Sequence, residues 1–385
     1  MKKIKFTDCV DLVGSSCRKF DGTKVYVSTG AVDTDHIDQA DIEIVDFDNK
    51  PSRANLIVNT NDILFAKMQA TTKTLYIDED LSENIYSTGF CAVRAKNNII
   101  TNKCLYYLLT SDTFLGQKDK NCSGATQKAI TNTGLGKIEI LIPAIAQQTE
   151  LVEQLDAVCD LISYRKQQLA VLDKLISSRF AEMFGDPVHN EKEWIRQPLN
   201  DICTIIVDCP HSTPSYTYED TGFMCIRTSI VKKNQILWDE IEYIPENEYL
   251  YRIQRKKPEK GDVIYTREGA ILGIAAVIDK DCNVAMGQRM MLLSPDLNQC
   301  NPHFLSVAMN CKSFLDNALK GIIGSASPHI NVGDIKEFEM ILPPIELQNE
   351  FATFMCEVEQ LKSDAKEALS KLETLKKSLM QKYFG

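Results

Sequence analysis

The chain of 385 residues is 44% hydrophobic and 25% charged, a composition typical of a globular protein with two or more domains. Its formal net charge of −10, with no segment that is basic overall, argues against a uniformly basic DNA-binding surface. No stretch has the length of a membrane span, the first residues lack the apolar run of a signal peptide, and the thirteen cysteines are scattered singly. These features predict a cytoplasmic protein with reduced thiols.

The chain repeats itself with an offset of 200 residues. Residues 138–150 match 338–350, and fifteen of the fifty pairs from 136/336 to 185/385 are identical. The same offset relates Asp62 to Asp262 and Gly124 to Gly324 in the preceding segments. Two copies of one unit predict a pseudo-two-fold axis, and duplex DNA is the commonest partner that shares this symmetry.

Residues 1–136 form the first predicted globular domain. Short β-branched or aromatic runs at 24–27 and 42–45 are bounded by turn residues, which is typical of strands, and 102–115 is predicted to be helical. Residues 137–185 follow as a central spacer region, in which 146–184 contains neither proline nor glycine and Gly185 ends the run. This pattern predicts one helix of roughly 60 Å.

The second half of the chain repeats this order. Residues 186–337 form the second predicted globular domain, with strands at 262–265 and 290–293 and a helix at 302–315. Residues 338–385 form a C-terminal spacer region with an uninterrupted helix from 345 to 384. We therefore predict an α+β fold, in which two globular α/β domains are separated by two long antiparallel coiled-coil helices related by a pseudo-two-fold internal repeat.

The two long helices differ in the width of their apolar faces. The second carries heptads, since Leu347, Phe354 and Leu361 recur every seven residues. The first has a broader face, one row of which is Leu155, Ile162, Leu169, Ile176 and Met183. This pattern predicts that the helices pair with each other and that the wider face of the first helix also contacts something else.

Several segments give the chain a resemblance to a known family. Leu/Ile-Pro-x-Ile-x-x-Gln opens each long helix at Pro143 and Pro343, after similar stretches at 124–130 and 324–330. The segment Glu-Met-Phe-Gly-Asp-Pro at 182–187 joins the first helix to the second domain, and 85–90, 207–214 and 226–229 resemble parts of target recognition domains. In the order, duplication and spacing of these segments, essentially the whole chain resembles the specificity subunit of type I restriction-modification systems.

The resemblance implies a function without catalysis. Each target recognition domain would read one half of a split DNA sequence, and the helix pair would fix the distance between the halves. Two modification subunits would dock on the helices and methylate an adenine in each half, and restriction subunits would translocate and cut the DNA. S-adenosylmethionine, ATP and Mg²⁺ are expected on these partners, whereas no catalytic residue, cofactor or metal is expected in this chain.

Two expectations about surfaces follow from this resemblance. The row from Leu155 to Met183 is the predicted docking surface for the modification subunits. Basic surface contributed by those subunits would offset the acidic charge of the chain.

Base-reading side chains are predicted from their chemistry. Arginine commonly pairs with guanine, and Asn or Gln pairs with adenine. The candidates are Lys67, Gln69 and Lys73 in the first domain and Arg227, Thr228, Lys232, Arg267, Gln288 and Arg289 in the second. The alternative for each is a solvated surface position or a structural hydrogen bond.

Two other function classes stay open at the level of sequence. Asn301-Pro-His-Phe304 resembles the motif with which amino-methyltransferases hold a flipped adenine, which would make the chain a stand-alone DNA adenine methyltransferase. No Gly-rich loop for a methyl donor is present, and the repeat partner at 101–105 indicates that both segments begin a helix. The other class is a coiled-coil adaptor that joins proteins and never contacts DNA.

Two further kinds of chemistry find little support. Cys209 and His211 could form a thiol and imidazole pair or half of a metal site, but no Cys-x-x-Cys and no second close pair accompany them. No Walker phosphate loop is present either. The sequence therefore favours a binding subunit.

Overall fold

The computed structural model describes residues 2–320 and 328–385, so residues 324–327 of the second repeat motif lie outside the described part. The chain divides into two compact units. The first unit combines Met1–Lys166 with Glu367–Gly385, and the second consists of Gln167–Lys366. Each long helix therefore contributes one part to the first unit and another part to the second. The boundaries predicted from the sequence lie instead at the ends of the helices.

The first half of the chain begins with fifteen strands and six helices. The strands are β1 (Lys2–Lys5), β2 (Val10–Val13), β3 (Ser15–Ser16), β4 (Lys24–Val27), β5 (Val32–Asp33), β6 (His36–Ile37), β7 (Glu43–Val45), β8 (Ala54–Ile57), β9 (Ile63–Ala66), β10 (Thr74–Tyr76), β11 (Ile85–Ser87), β12 (Phe90–Ala95), β13 (Cys122–Ser123), β14 (Ala129–Ile130) and β15 (Glu139–Ile142). The helices are α1 (Phe6–Cys9), α2 (Glu79–Ser82), α3 (Asn102–Leu109), α4 (Asp112–Lys120), α5 (Asn132–Leu135) and α6 (Ile145–Phe184).

The second half has a similar series. The strands are β16 (Arg196–Pro198), β17 (Cys203–Asp208), β18 (Met224–Ile226), β19 (Val231–Lys232), β20 (Gln235–Ile236), β21 (Glu242–Tyr243), β22 (Val263–Thr266), β23 (Ala275–Val277), β24 (Val284–Met286), β25 (Met290–Pro295) and β26 (Glu339–Ile341). The helices are α7 (Leu199–Ile202), α8 (Glu246–Arg252), α9 (Pro302–Asn310), α10 (Lys312–Ala318), α11 (Val332–Lys336) and α12 (Ile345–Phe384).

The sheets of the two units share one topology. The first unit contains an antiparallel sheet of order β10-β9-β12-β2, and the second contains β23-β22-β25-β17 in the corresponding places. Next to it lies a second sheet with a parallel pair, β4 with β11 in the first unit and β18 with β24 in the second. This second sheet has five strands in the first unit and three in the described part of the second. The predicted duplication therefore extends to strand order.

The long helices form part of the hydrophobic core of each unit. In the first unit, Phe384 near the end of α12 is buried with Leu151 and Leu155 near the start of α6. In the second unit, Phe180 and Phe184 near the end of α6 are buried with the start of α12. The two helices thus run antiparallel within each unit, as predicted.

The proline motif at the start of each long helix has a structural explanation. The side chain of Gln148, which is fully buried, accepts a hydrogen bond from the backbone N–H of Thr101 at 2.8 Å and donates to the carbonyls of Ile99 and Pro143 at 3.0 and 3.1 Å. Gln348 makes the same three bonds in the second unit, to Asn301, Gln299 and Pro343 at 2.9, 3.0 and 2.7 Å. Each glutamine therefore ties a long helix to the globular part of its own unit.

The short helices differ from the prediction in one respect. Residues 102–115 and 302–315 were each predicted as one helix, but the chain breaks at Ser111 and at Cys311. The Ser111 hydroxyl accepts a hydrogen bond from the N–H of Phe114, which is the geometry of a helix N-cap and starts a new helix. The break lets α3 and α4 each place an apolar face against the core.

No helix in the described ranges is long and apolar enough to cross a membrane.

Candidate nucleic-acid interface

The three candidates of the first unit lie on one loop. This loop, residues 67–73, connects β9 to β10, and the N–H of Lys67 donates to the carbonyl of Gly89 at 2.9 Å where β12 begins. The Lys73 ammonium donates to the carbonyl of Thr29 at 2.8 Å, and the Gln69 amide donates to the carbonyl of Asp119 at 3.3 Å. The structure therefore gathers Lys67, Gln69 and Lys73 at one edge of the main sheet.

The second unit repeats this arrangement at the equivalent edge. The N–H of Arg267 donates to the carbonyl of Arg289 at 3.0 Å, the counterpart of the bond between Lys67 and Gly89. The Gln288 amide donates to the carbonyl of His211 at 2.6 Å. Arg289 is exposed, has a φ of +66°, and its guanidinium has no hydrogen bond or ion pair with the described residues. A free cation at this edge could meet either a phosphate or a guanine.

Arg227 lies close to this turn, since the neighbouring Gly287 donates to the carbonyl of Ile226 at 2.8 Å. Its guanidinium bonds to the Glu242 carboxylate and stacks over the ring of Tyr216, 5.4 Å from the centroid. The Arg227 side chain is still 43% exposed. Its orientation is thus fixed while much of its surface stays open to a ligand. Thr228, half-buried, begins a short 3₁₀ turn directly after it.

Arg267 does not lie at the surface. Its side chain is 7% exposed, bonds to both carboxylate oxygens of Asp208 at 2.9 and 3.1 Å, and forms an ion pair with Glu268 at 2.7 Å. It also donates to the carbonyl of Ile330 at 3.3 Å. Because these partners occupy the guanidinium, base reading by Arg267 stays a prediction that the geometry does not favour.

Lys232 occupies a different place from the other candidates. It lines a groove of about 680 Å³ between the hairpin β19–β20, helices α9 and α10, and the long helices of the second unit. Neighbouring lining residues include Asp173, Lys312 and Lys362. An equivalent groove of about 880 Å³ in the first unit is lined at corresponding positions, but most of the side chains differ. The structure therefore does not bring Lys232 together with Arg227 and Arg289.

Most of the row predicted to dock partners is buried in the hydrophobic cores of this chain. Leu155, Ile176 and Met183 are buried in the cores of their own units, and Ile162 and Leu169 are half-buried. The helices instead expose leucines at equivalent positions of the repeat: Leu161 and Leu375 in the first unit, and Leu175 and Leu361 in the second. A helical periodicity does not distinguish packing against the same chain from packing against a partner, which explains the difference.

Two further exposed side chains, Arg53 and Tyr218, lie on loops near these candidates and were not predicted from the sequence. Arg53 is exposed, its guanidinium has no partner among the described residues, and its carbonyl accepts from Thr88, next to Gly89. In the second unit, Tyr218 is fully exposed in the irregular loop 209–223. An aromatic residue within a polar, proline-containing stretch was the available signal for Tyr218, because solvent-exposed aromatic side chains can stack on bases.

The two segments that could have indicated catalysis or metal binding, 301–304 and 209–211, are explained by structural contacts. The Asn301 side chain accepts hydrogen bonds from the N–H groups of His303 and Phe304, and Phe304 is fully buried, so the segment is the N-cap of α9, as its repeat partner predicts. The Cys209 thiol is buried, which raises its pKa, while His211 pairs with Asp208 at 3.2 Å. Within the described residues, no group of three or more His, Cys, Asp and Glu side chains could hold a metal ion.

Two copies of one recognition fold, each built on parts of two long helices and each presenting cations at the same sheet edge, define a duplicated binding protein. A family model described as the type I restriction modification DNA specificity domain matches residues 11–174 and 191–374. The chain belongs to this family. It is therefore a DNA-recognition subunit and not a stand-alone methyltransferase, and catalysis resides in other subunits.

Individual relatives agree with this assignment. The type I restriction enzyme MjaVIII specificity subunit of Methanocaldococcus jannaschii is 22% identical over 347 residues, covering 86% of this chain and 80% of the relative. The crystal structure of a type I restriction-modification system S subunit from M. genitalium has a TM-score of 0.64 at 14% identity, covering 100% of this chain and 96% of that one. A chain from a structure describing complex assembly and conformational transition of the type I R-M system has a TM-score of 0.59 at 21% identity, covering 99% and 97%. These structures show the same fold.

Proposed function

We propose that each unit reads one half of a bipartite DNA sequence with the loops at the edge of its main sheet. The observation that carries the proposal is the repeated edge itself. Lys67 bonds to Gly89 in the first unit just as Arg267 bonds to Arg289 in the second, so the two units present loops at the same place in the fold. Equivalent surfaces on two copies of one domain are suited to two separate half-sites.

The side chains assigned to DNA are the exposed or partly exposed candidates on these loops and on the neighbouring segment 227–228. Lys67, Gln69 and Lys73 serve the first half-site, and Arg227, Thr228, Gln288 and Arg289 serve the second. Arg227 and Arg289 are suited to guanine, and Gln69 and Gln288 to adenine. Arg267 is assigned a structural role, because its guanidinium is paired with the carboxylate of Asp208. Lys232 lines the groove beside the long helices and is not assigned to this surface.

The partners are two modification subunits, one on each unit, together with restriction subunits. Each unit exposes one leucine from either long helix, which is support for two equivalent docking surfaces: Leu161 with Leu375, and Leu175 with Leu361. S-adenosylmethionine, ATP and Mg²⁺ are assigned to these partner subunits. Basic surface on the partner subunits offsets the net charge of −10 of this chain. The thirteen free cysteines support a cytoplasmic location.

The test is an exchange of residues 1–136 for the corresponding domain of another family member. In a complex reconstituted with modification subunits, the exchange should change one half of the methylated sequence and leave the other half as it was. Sequencing of methylated adenines in host DNA provides the measurement. An exchange that alters both halves, or neither, would reject independent reading by the two units.

A further inference from the structure

Three cations are buried in the described part of the chain, and all three lie against the loops assigned to DNA. Taken over the whole residue, Lys118 is 1% exposed, Arg252 3% and Arg267 6%. Removing a cation from water is unfavourable unless it is paired and hydrogen-bonded. Their shared location therefore calls for an explanation beyond the general stability of the core.

In the first unit, Lys118 holds loop 67–73 from below. Its ammonium donates to the carbonyls of Met68 and Thr71 at 3.0 and 2.7 Å and to the Thr71 hydroxyl at 3.3 Å. The neighbouring Asp119 supplies a carboxylate at 3.4 Å. All three hydrogen bonds thus go to the loop that carries Lys67, Gln69 and Lys73. The loop also contains Ala70 at a φ of +58°, a conformation that a non-glycine residue keeps only when its surroundings enforce it.

In the second unit, Arg252 joins two loops. Its guanidinium donates to the carbonyl and hydroxyl of Ser212 at 2.7 and 3.3 Å, and to the carbonyls of Met286 and Gly287 at 3.3 and 3.4 Å. Glu248 provides the balancing carboxylate at 2.7 Å. Arg252 therefore fastens loop 209–223 to the turn that carries Gln288 and Arg289.

The two anchors are not copies of each other. Lys118 comes from α4, and the residue 200 positions later is Ala318, while Arg252 comes from α8. The two units have thus reached the same arrangement, a buried cation under the DNA-facing loops, with different residues. Direct base reading needs side chains held close to one geometry, and holding a loop in advance lowers the entropy lost on binding.

We infer that Lys118 and Arg252 are specificity-determining positioning residues, one for each half-site, which hold the reading loops without touching DNA. This inference rests on the proposed function, since it takes those loops to be the ones that contact bases. It assigns specificity to two residues that are inaccessible to any ligand.

The test uses the complete complex carrying Lys118→Met or Arg252→Met, which keep much of the side-chain volume and remove the donors. Two exposed lysines whose ammonium groups make no hydrogen bond with the described residues provide matched controls, Lys120→Met on α4 and Lys260→Met in the second unit. For each complex, the dissociation constant is measured for the cognate duplex and for duplexes altered in one half, and the methylated motif is sequenced.

Lys118→Met should lower discrimination by about tenfold in the half-site assigned to the first domain and leave the second half-site unchanged, since one well-placed base contact supplies discrimination of that order. Arg252→Met should lower discrimination in the half-site assigned to the second domain and leave the first half-site unchanged. The salt dependence of binding should keep its slope, because no phosphate contact is lost. The controls should preserve the motif.

Further variants separate positioning from a merely structural role. Glu248→Gln removes the charge beside Arg252 but leaves its bonds to the loops, so it should keep the motif. If Arg252→Met does not assemble, Arg252→Lys retains the charge but cannot bond Ser212 and Met286 together, and it should still relax the second half-site. In the first unit the second variant is Lys118→Gln, which removes the charge but keeps a polar side chain; being shorter, it cannot make all three bonds to the loop and should still relax the first half-site.

An assembled variant with a lower melting temperature and an unchanged motif would overturn the inference, and so would equal loss in both half-sites or a shallower salt slope. Failure of the proposed function is recognised separately. If exchange of residues 1–136 changes one half of the target while these variants leave the motif intact, only the positioning role is wrong.

Discussion

Gln148 and Gln348 close the same three hydrogen bonds in the two units, although many residues around them differ. The sequence predicts their importance as part of a repeated motif but gives no partner for them. Two of the groups that each glutamine bonds lie 47 to 49 residues away, and the third is the carbonyl of the motif proline itself, five residues earlier. Arg267 and Arg289, in contrast, are residues of the same type that have different environments in the structure. Both are arginines predicted to read bases, but Arg267 is buried against Asp208, 59 residues away in the sequence, whereas Arg289 is exposed.

We expect Gln148→Ala to lower the free energy of unfolding of the first unit by about 2–4 kcal/mol, because it leaves one buried N–H and two carbonyls without partners. Gln348→Ala should have a similar effect on the second unit. The matched control is Gln147→Ala, whose side chain is exposed one position earlier and should cost less than about 0.5 kcal/mol. Urea unfolding followed by circular dichroism measures the difference. Equal stability of the Gln147 and Gln148 variants would show that the buried bonds contribute nothing.

The two 40-residue helices were predicted almost to the residue, because each lacks internal proline and glycine and ends at a glycine of positive φ. Their contacts were harder to predict. The broad face of α6 packs into the globular part of each unit, so Leu155 and Ile176 are inside the protein. On α12 the row of Phe351, Val358 and Ala365 is buried, whereas Leu361 of the other predicted row is 52% exposed. Periodicity fixes the spacing of a face, and only the tertiary fold decides what covers it.

The exposed leucines provide a test of the docking proposal at the level of the helices. Leu161→Glu combined with Leu375→Glu places charges on the exposed apolar positions of the first unit, and Leu175→Glu with Leu361→Glu does so in the second. Each double variant should reduce the bound modification subunits from two to one, since a buried carboxylate without a partner opposes association. Native mass spectrometry of the reconstituted complex counts the subunits.

The control for docking is Ser163→Glu with Ser378→Glu, which adds the same charge at exposed polar positions of the same helices in the first unit. It should leave two modification subunits bound. Binding of two subunits to both leucine variants would place the docking surface elsewhere.

For the whole molecule, the repeat predicted one fold used twice, and the structure extends the duplication to strand order, helix caps and the buried glutamines. The repeat did not predict where the copies differ. The second sheet has five strands in the first unit and three in the described part of the second. The loops that we propose to contact DNA are anchored by different residues, Lys118 in the first unit and Arg252 in the second. The framework repeats in sequence because its packing is the same in both units, whereas loops that recognise different bases need not share residues.

The helices connect the two units, and we expect their length to set the spacing of the two DNA half-sites. Inserting seven residues after Lys166 and seven after Lys366, both exposed and each at the boundary between the units, lengthens each helix by about 10 Å. Seven residues make nearly two full turns, so the heptad pattern and the pairing of the helices are preserved. At about 3.4 Å per base pair, the unread spacer in the methylated motif should lengthen by up to about three base pairs.

The control is the same insertion at Gly22, an exposed turn where an added Cβ would meet no atom within 4 Å. This insertion should leave the spacer unchanged. Both half-sites should keep their sequences, because the reading loops are untouched, and a constant spacer in the helix variant would show that the helices do not determine it.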